Sequence, residues 1–432
     1  MTLEVKFTGW SSFAATVLLF ALAGCDPGSP PGSPASALTS PESSASAAKL
    51  NNSPDDNAAF LSRHWQRPLA ANGPAPGNFS PLEASLSPAA CGACHPRQFD
   101  DWRTALHSHA MSPGLLGQLQ AMGAQARDKH QACLKCHAPL AEQADHLVAS
   151  LTAGRMLPPL ADGASAADGL TCAGCHVRGN RRFGPPRSDG TVPAADAQLP
   201  HDGWQATPAF EDSRFCAACH QFKAGGPGLN GKPFENTYEE WRASRYAREG
   251  RTCQSCHMPQ RRHLWRGIHD PEMVRSGLTI NAALVPAAAG RVAAALTVAN
   301  TGVGHDFPTY VTPRVEVEIA QQDRQGQVIP ATVLRHLISR AVSLDLRVEY
   351  ADTRLKPDER RRYGYDRPRD PLATAVVFSI TVFPDAFYAD FYRATLSDPA
   401  FRTGRAALLA ALKRATDSPY QLYDARLPLP AR

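Results

Sequence analysis

Ten of the eleven cysteines fall in one repeated pattern, Cys-x-x-Cys-His. The five copies end at His95, His137, His176, His220 and His257. A Cys-x-x-Cys pair on its own can bind zinc or act as a redox dithiol. Zinc would require the motifs to associate in pairs, and five is an odd number. A dithiol would not need a histidine after every copy, so neither interpretation accounts for the whole set.

Covalent haem attachment accounts for all five copies. A haem carries two vinyl groups on adjacent pyrrole rings, and two thiols three residues apart can form thioether bonds with both. The histidine that follows then binds the iron. The sequence therefore predicts five covalently bound c-type haems (iron). The cysteines that would carry the thioether bonds are Cys91, Cys94, Cys133, Cys136, Cys172, Cys175, Cys216, Cys219, Cys253 and Cys256.

The second axial ligand of each iron decides what the site can do. Two histidines make a low-spin iron suited to electron transfer, whereas an open position admits a substrate. Ten histidines lie outside the motifs, so their number alone does not select the ligands. The five favoured as distal ligands are His107, His130, His263, His269 and His305. Glycines and a proline around His305 predict a shaped loop between two strands.

The stretch after the first motif resembles the tetrahaem cytochromes linked to hydroxylamine oxidation. In that family a tryptophan is followed, after a few helical residues, by a distal histidine. Trp102 matches the tryptophan, His107 stands at the matching offset, and His109 is the near alternative. The pattern recurs after Trp241, where Tyr246 occupies that offset. Tyr246 then either packs beside a haem or fills or gates an iron position.

The resemblance covers about residues 85–310, and it implies electron transfer. This chain departs from the tetrahaem pattern because it has five sites instead of four. His263 and His269 resemble the paired histidines that multihaem cytochromes place after a last motif. The segment around His305 resembles one in larger multihaem cytochromes that carry a β-rich C-terminal part.

The N-terminus is predicted to be an export signal and a membrane anchor. Its apolar segment, 13–23, is too short to span a bilayer core of about 30 Å. Leu22-Ala23-Gly24-Cys25 resembles the lipobox of bacterial lipoproteins, which implies a lipid on Cys25. The Pro-, Ser-, Ala- and Gly-rich segment 26–58 predicts a flexible tether. The chain is thus expected to be exported and lipid-anchored to a bacterial membrane, facing the periplasm or the cell surface.

Past about residue 275 the cysteines end and alternating apolar residues predict strands. The expected fold class is α+β, with a mostly helical and loop-rich haem-cored multihaem cytochrome domain followed by a small antiparallel β-sandwich domain. The predicted strands include 292–298, 315–319 and 376–382, and 404–415 is predicted to be helical. The predicted parts are a signal peptide (1–24), the lipidated cysteine and tether (25–58), a pentahaem domain (59–275) and a β-rich domain (276–432).

The net charge of +5 is mild, which argues against a nucleic-acid partner. The predicted function is electron transfer between periplasmic or cell-surface redox partners. A quinol oxidase module would be the donor, and a downstream reductase or an outer-membrane conduit the acceptor. The alternative is a multihaem oxidoreductase that reduces or oxidises nitrogen or sulfur oxyanions at one open-coordinate haem. No motif carries the lysine variant seen at the catalytic haem of pentahaem nitrite reductases, which counts against that enzyme.

Overall fold

The computed structural model describes residues 54–155, 157–158, 165–194 and 197–431. The predicted signal peptide and Cys25 lie outside the described residues, as does most of the predicted tether. The first described helix begins at Pro54, inside the range predicted as tether. Within the described ranges, no helix has the length and apolar character needed to cross a bilayer.

Short helices are the main elements between residues 54 and 277. Their brevity follows from the sequence, because prolines repeatedly occupy the first helical position, where the fixed φ angle starts a new helix. In chain order, the helices are α1 (Pro54–His64), α2 (Pro81–Ala84), α3 (Pro88–Cys94), α4 (Pro96–Trp102), α5 (Pro113–Ala121), α6 (Arg127–His137), α7 (Ala141–Thr152), α8 (Cys172–His176), α9 (Arg214–His220), α10 (Thr237–Ala243), α11 (Arg245–Arg248), α12 (Cys253–His257) and α13 (Pro271–Gly277).

Strands dominate from residue 278 onward, and two antiparallel sheets carry most of them. One sheet has the order β12-β7-β6 and the other the order β14-β13-β8-β9. The strands are β1 (Val177–Arg178), β2 (Arg181–Gly184), β3 (Gln205–Ala206), β4 (Gly228–Leu229), β5 (Lys232–Pro233), β6 (Leu278–Leu284), β7 (Arg291–Asn300), β8 (Arg314–Gln322), β9 (Leu334–Ile338), β10 (Arg340–Val342), β11 (Glu349–Asp352), β12 (Arg360–Pro368), β13 (Ala375–Phe383) and β14 (Tyr420–Pro428).

The two sheets share the largest hydrophobic core among the described residues. Leu296 and Val298 of β7 belong to the same buried cluster as Val317 of β8 and Ile380 of β13. The alternation of buried and partly exposed residues along β8 and β13 is the period of a half-buried strand. The strands predicted at 292–298, 315–319 and 376–382 are therefore confirmed, as is the coarse α+β class.

Two C-terminal helices, α14 (Ala386–Ser397) and α15 (Arg405–Asp417), pack against α5 in the cysteine-rich part. The predicted helix at 404–415 is thus confirmed, whereas α14 and the final strand β14 escaped prediction. Gly117 of α5 and Gly404 make the close approach possible. A Cβ atom on Gly117 would lie 2.8 Å from the side chain of Leu408, and Gly404 has a φ of +82° that favours glycine.

Candidate haem-binding sites

Each motif presents its cysteines and histidine from a short helix or its end. Thr171 and Thr252 cap α8 and α12, and each threonine hydroxyl accepts a hydrogen bond from a backbone N–H inside its motif. These caps start the helix directly at the first cysteine. One turn of helix then places the second cysteine on the same side, with the histidine next to it.

Sulfur contacts join the motifs to one another. The thiol of Cys91 in the first motif contacts that of Cys172 in the third. Cys136 of the second motif contacts Cys219 of the fourth in the same way. The other cysteine of the fourth motif, Cys216, contacts the fifth motif at Cys253. The five attachment points are therefore clustered, and the fourth motif adjoins both the second and the fifth.

Cys175 of the third motif lies near Cys216 of the fourth, close enough for an electrostatic interaction between them. Neighbouring motifs thus follow the order one, three, four. The second and fifth motifs each adjoin the fourth.

Three motif histidines face a second imidazole at a distance that fits one metal ion between them. Metal–imidazole bonds are about 2 Å long and the ring centroid lies about 1.1 Å behind the nitrogen, so two trans imidazoles have centroids about 6.3 Å apart. The ring centroids of His220 and His107 are 6.3 Å apart. Those of His176 and His263 are 6.2 Å apart.

The third pair is His257 of the fifth motif and His305, whose ring centroids are 6.3 Å apart with an interplanar angle of 13°. His305 lies between β7 and β8, and its Nδ1 is hydrogen-bonded to the backbone oxygen of Asp306 at 2.9 Å. This contact leaves Nε2 to bind a metal. The structure thus brings three of the five predicted distal histidines opposite a motif histidine.

Burial keeps these imidazoles neutral, as a metal ligand must be. It lowers the pKa of His107 to about 3 and that of His305 to about 4. Burial also lowers the pKa of His176 and His220 to about 4. The buried Nδ1 of His107 has no hydrogen-bond partner among the described residues.

The structure places the other two predicted distal ligands, His130 and His269, elsewhere. His130 lies inside α6 with 0% exposure, and its Nε2 is hydrogen-bonded to the backbone oxygen of Leu119 at 3.0 Å. His269 has its Nε2 only 2.9 Å from Oδ2 of Asp385. In both cases Nε2 is already engaged and neither ring stands opposite a motif histidine among the described residues, so the ligand role of these two histidines stays a prediction.

The first two motif histidines, His95 and His137, have no described imidazole at the trans distance. His109, the near alternative to His107, is exposed. His64 is 3% exposed, and its Nε2 is hydrogen-bonded to the backbone oxygen of Cys175 at 2.8 Å. The imidazole pairs within the described ranges therefore supply no second ligand for the sites of His95 and His137.

The two tryptophan-containing segments hold the third and fifth motifs in the same manner. The indole N–H of Trp102 donates to the backbone oxygen of Leu170, two residues before Cys172, at 2.8 Å. The indole N–H of Trp241 donates to the backbone oxygen of Arg251, two residues before Cys253, also at 2.8 Å. The two segments that are alike in sequence therefore make the same hydrogen bond in the structure.

The equivalence extends to His107 and Tyr246, whose backbone oxygens accept from the N–H groups of Leu170 and Arg251 at 2.9 Å. Tyr246 is 2% exposed, and its hydroxyl donates to the backbone oxygen of Thr301 at 2.6 Å. This is the environment of a packing residue, as the first of the two sequence interpretations expects. The iron-gating interpretation has no support in these contacts.

Two partly buried residues near the motifs were not predicted from the sequence. Arg67 donates to the sulfur of Cys136 at 3.0 Å and to that of Cys219 at 2.9 Å, so it lies where the second and fourth motifs meet. Trp265 packs edge-on against both His107 and His263, at centroid distances of 4.7 and 5.1 Å. Neither follows a local pattern, because their partners are distant in the sequence.

The donor set fits c-type haem. Paired cysteines lie beside each motif histidine, and three imidazole pairs have ring centroids at a spacing that would fit one metal ion between them. Thioether bonds from the ten cysteines and axial bonds from the histidines would hold the groups, and each haem would supply a one-electron redox centre.

Comparison with known proteins agrees with this geometry. Residues 90–177, which include the first three motifs, match the family model described as cytochrome c554 and c-prime. The fold is similar to the crystal structure of a penta-heme cytochrome c552 from Thermochromatium tepidum, with a TM-score of 0.57 and 18% identity. That match covers 81% of this chain and 100% of the other. No curated protein matches the chain.

The chain has the fold of a multihaem cytochrome c. The family match covers the segment that carries Trp102, His107 and Leu170, whose mutual contacts are described above. The structural match extends over most of the chain, including the β-rich part.

Proposed function

We propose that the protein is a pentahaem c-type cytochrome that transfers electrons between redox partners outside the cytoplasm. The observation that carries the proposal is the set of three opposed imidazole pairs, His107–His220, His176–His263 and His257–His305. Sites with two axial histidines are coordinatively filled, which suits electron transfer more than substrate binding.

The clustering of the motifs supports a relay. The sulfur contacts put the attachment points of the fourth motif next to those of the second, third and fifth. Trp265 fills the space between the axial histidines of the third and fourth motifs. The chain thus keeps its five attachment points close together.

The first motif is a suitable contact point for a redox partner. The residues that follow its histidine, at 96–98, are exposed. The motif stands at one end of the contact order, next to the third motif only. We propose that a quinol oxidase module or a similar donor exchanges electrons with the protein at this end. A reductase or an outer-membrane conduit would be the partner on the other side.

A lipid on Cys25 would keep the protein at a bacterial membrane, facing the periplasm or the cell surface. The support for this part of the proposal is the lipobox-like sequence and the absence of large apolar residues from most of the tether. Substituting Cys25 by serine tests it. The variant is expected in the soluble fraction of cells that hold the wild-type protein in the membrane fraction, and an unchanged membrane fraction would contradict the anchor.

Electron counting tests the electron-transfer proposal. One sample of the purified, fully reduced protein is titrated with a one-electron acceptor, and separate samples supplied with an excess of a one-electron donor or acceptor are offered nitrite, hydroxylamine or sulfite. The proposal expects five electrons per chain and no sustained consumption of the three compounds. The His269→Ala variant is a matched control, because His269 is outside the imidazole pairs and should leave the electron count unchanged. Fewer than five electrons per chain in the wild type would contradict the proposal.

The alternative is an oxidoreductase of nitrogen or sulfur oxyanions with one open-coordinate haem. The observation that favours it is that His95 and His137 lack an opposed imidazole among the described residues. Low-temperature EPR separates the two functions. A high-spin ferric signal together with turnover of one of the three compounds would support the enzyme, and five low-spin signals without a high-spin component would exclude it.

A further inference from the structure

The histidine of the fourth motif differs from those of three other motifs in how its Nδ1 is held. Nδ1 of His137, His176 and His257 lies 2.7–2.8 Å from a backbone oxygen. Nδ1 of His220 instead lies 2.7 Å from the phenol oxygen of Tyr310. A backbone oxygen carries no proton. A phenol carries one, so its hydrogen bond to a further group can change the strength of its hydrogen bond with the imidazole.

That further group is Glu235, which is hydrogen-bonded to Tyr310. Its Oε2 is buried and has no hydrogen-bond partner among the described residues. The hydroxyl of Thr237 also contacts Tyr310. His220, Tyr310 and Glu235 therefore form a continuous hydrogen-bonded chain from a predicted iron ligand to a carboxyl group.

No cation neutralises this carboxyl group in the described surroundings. The groups that face Glu235 are the phenols of Tyr310 and Tyr388, the carboxylate of Glu240 and the sulfur of Cys136. Burial, assisted by the negative charge of Glu240, raises the pKa of Glu235 to about 8. The proton of this carboxyl group is therefore exchangeable near neutral pH.

Glu240 is the other buried carboxyl group nearby, but it is held differently. Arg354 donates to it at 2.9 Å, and both side chains are buried, with exposures of 5% for Arg354 and 7% for Glu240. Burial raises the pKa of Glu240 as well, while the ion pair favours its charged form. Glu240 adds negative charge near both Glu235 and Tyr310.

The hydrogen-bond chain links the charge of Glu235 to the basicity of His220. With Nε2 on the metal, Nδ1–H of His220 donates to Tyr310, whose O–H donates to Glu235. An ionised Glu235 strengthens both hydrogen bonds and makes the imidazole a stronger donor to the metal, which favours the ferric state. A protonated Glu235 weakens them and favours the ferrous state.

We propose that Glu235 is a redox-linked proton site: it takes up one proton from solvent when the centre held by His220 accepts one electron, and it releases that proton when the electron leaves. The electron comes from the one-electron donor of the proposed function. One electron and one proton enter together, so the charge around the fourth motif stays unchanged. The inference rests on the proposed haem attachment at the fourth motif.

Spectroelectrochemical titration of the holoprotein at several pH values between 6 and 10 tests the proposal. In the wild type, the midpoint potential of one centre should fall as the pH rises around pH 8. The slope should approach a tenfold change in the reduction equilibrium per pH unit, which is 59 mV for a one-electron couple. In the Glu235→Gln variant that midpoint should not vary with pH, and it should lie near the low-pH value of the wild type, because glutamine resembles the protonated acid.

Two further variants identify the route. Tyr310→Phe removes the connecting hydroxyl and should reduce the slope while leaving the other centres unchanged. Glu318→Gln is the matched control, because Glu318 lies on β8 and pairs with Arg335, away from the motifs. It should retain the wild-type slope.

Infrared difference spectroscopy gives an independent readout. Reduction of the wild type at pH 8 should produce a carbonyl band of a protonated carboxylic acid, and Glu235→Gln should lack it. A pH-independent set of midpoints in the wild type, or an unchanged slope in Glu235→Gln, would overturn the proposal. Either result would leave the electron count of the proposed function intact, so the two failures are distinguishable.

Discussion

Asp101 is expected to hold His263 in position, and its replacement by asparagine should loosen that distal ligand. The Asp101 side chain is 5% exposed and accepts three hydrogen bonds. Two come from Arg262, at 2.6 and 2.5 Å, and one comes from the backbone N–H of His263, at 3.0 Å. Asp101 thus connects α4, the helix after the first motif, to His263, the predicted ligand opposite His176.

The magnitude follows from these contacts. A hydrogen bond to a charged group contributes about 1.5–3 kcal/mol, but Arg262 is 37% exposed, so solvent screens part of the ion pair. Asparagine keeps one acceptor oxygen and loses the charge. We therefore expect a loss of about 2 kcal/mol in the free energy of unfolding. If the whole loss of about 2 kcal/mol destabilises only the native position of His263, the fraction of molecules with His263 displaced rises about thirtyfold.

The effect should depend on pH in a defined direction. The hydrogen bonds from Arg262 hold the pKa of Asp101 below its ordinary value. A carboxyl group whose pKa is lower in the folded state stabilises the protein above its unfolded pKa of about 3.9. This contribution is lost as the pH falls through the folded pKa. The stability difference between wild type and Asp101→Asn should therefore be largest at neutral pH and shrink below about pH 4.

Chemical denaturation and visible spectra of the holoproteins measure both effects. Asp100→Asn is the matched control, because Asp100 is the adjacent aspartate but is 62% exposed and pairs with Arg103, which is 58% exposed. An exposed pair of this kind contributes about 0–1 kcal/mol. Equal unfolding free energies for the two variants, or an unchanged low-spin spectrum in Asp101→Asn at every temperature, would refute the reasoning.

Two other predictions concern the ligands and the packing of the C-terminal helices. His305→Ala should convert one low-spin haem to high spin in EPR spectra, whereas His269→Ala should convert none; identical spectra for the two variants would contradict the assignment of His305. Gly404→Ala should lower the free energy of unfolding by at least about 2 kcal/mol, since a Cβ there meets the backbone of α5 at a φ of +82°. Gly290→Ala, with a φ of +73° but nothing within 4 Å, is its control and should cost about 1 kcal/mol.

Local sequence patterns predicted the parts of the site that depend on short spacing. The ten motif cysteines, the five motif histidines and the tryptophan-to-histidine offset at Trp102 and His107 all lie within a few residues of one another. The turn residues around His305 also indicated a presented side chain. In the structure His107, His263 and His305 stand opposite motif histidines.

Contacts between distant residues account for the parts of the site that the sequence did not reveal. His269 is engaged by Asp385, 116 residues away, and no local pattern reveals that contact. His130 was favoured for its position before the second motif, but its Nε2 is held by a backbone oxygen of α5. Arg67 and Glu235 were overlooked for the same reason, since their partners lie on other elements. Helix α14 and strand β14 were missed because tertiary packing decides them more than local periodicity does.

The most direct test of the central claim is low-temperature EPR of the oxidised holoprotein, integrated against chain concentration and haem content. We expect five haems per chain, at least three of them low-spin ferric centres with two axial histidines. These three are the centres held by His107–His220, His176–His263 and His257–His305. Fewer than five haems per chain, or fewer than three low-spin centres, would contradict the account.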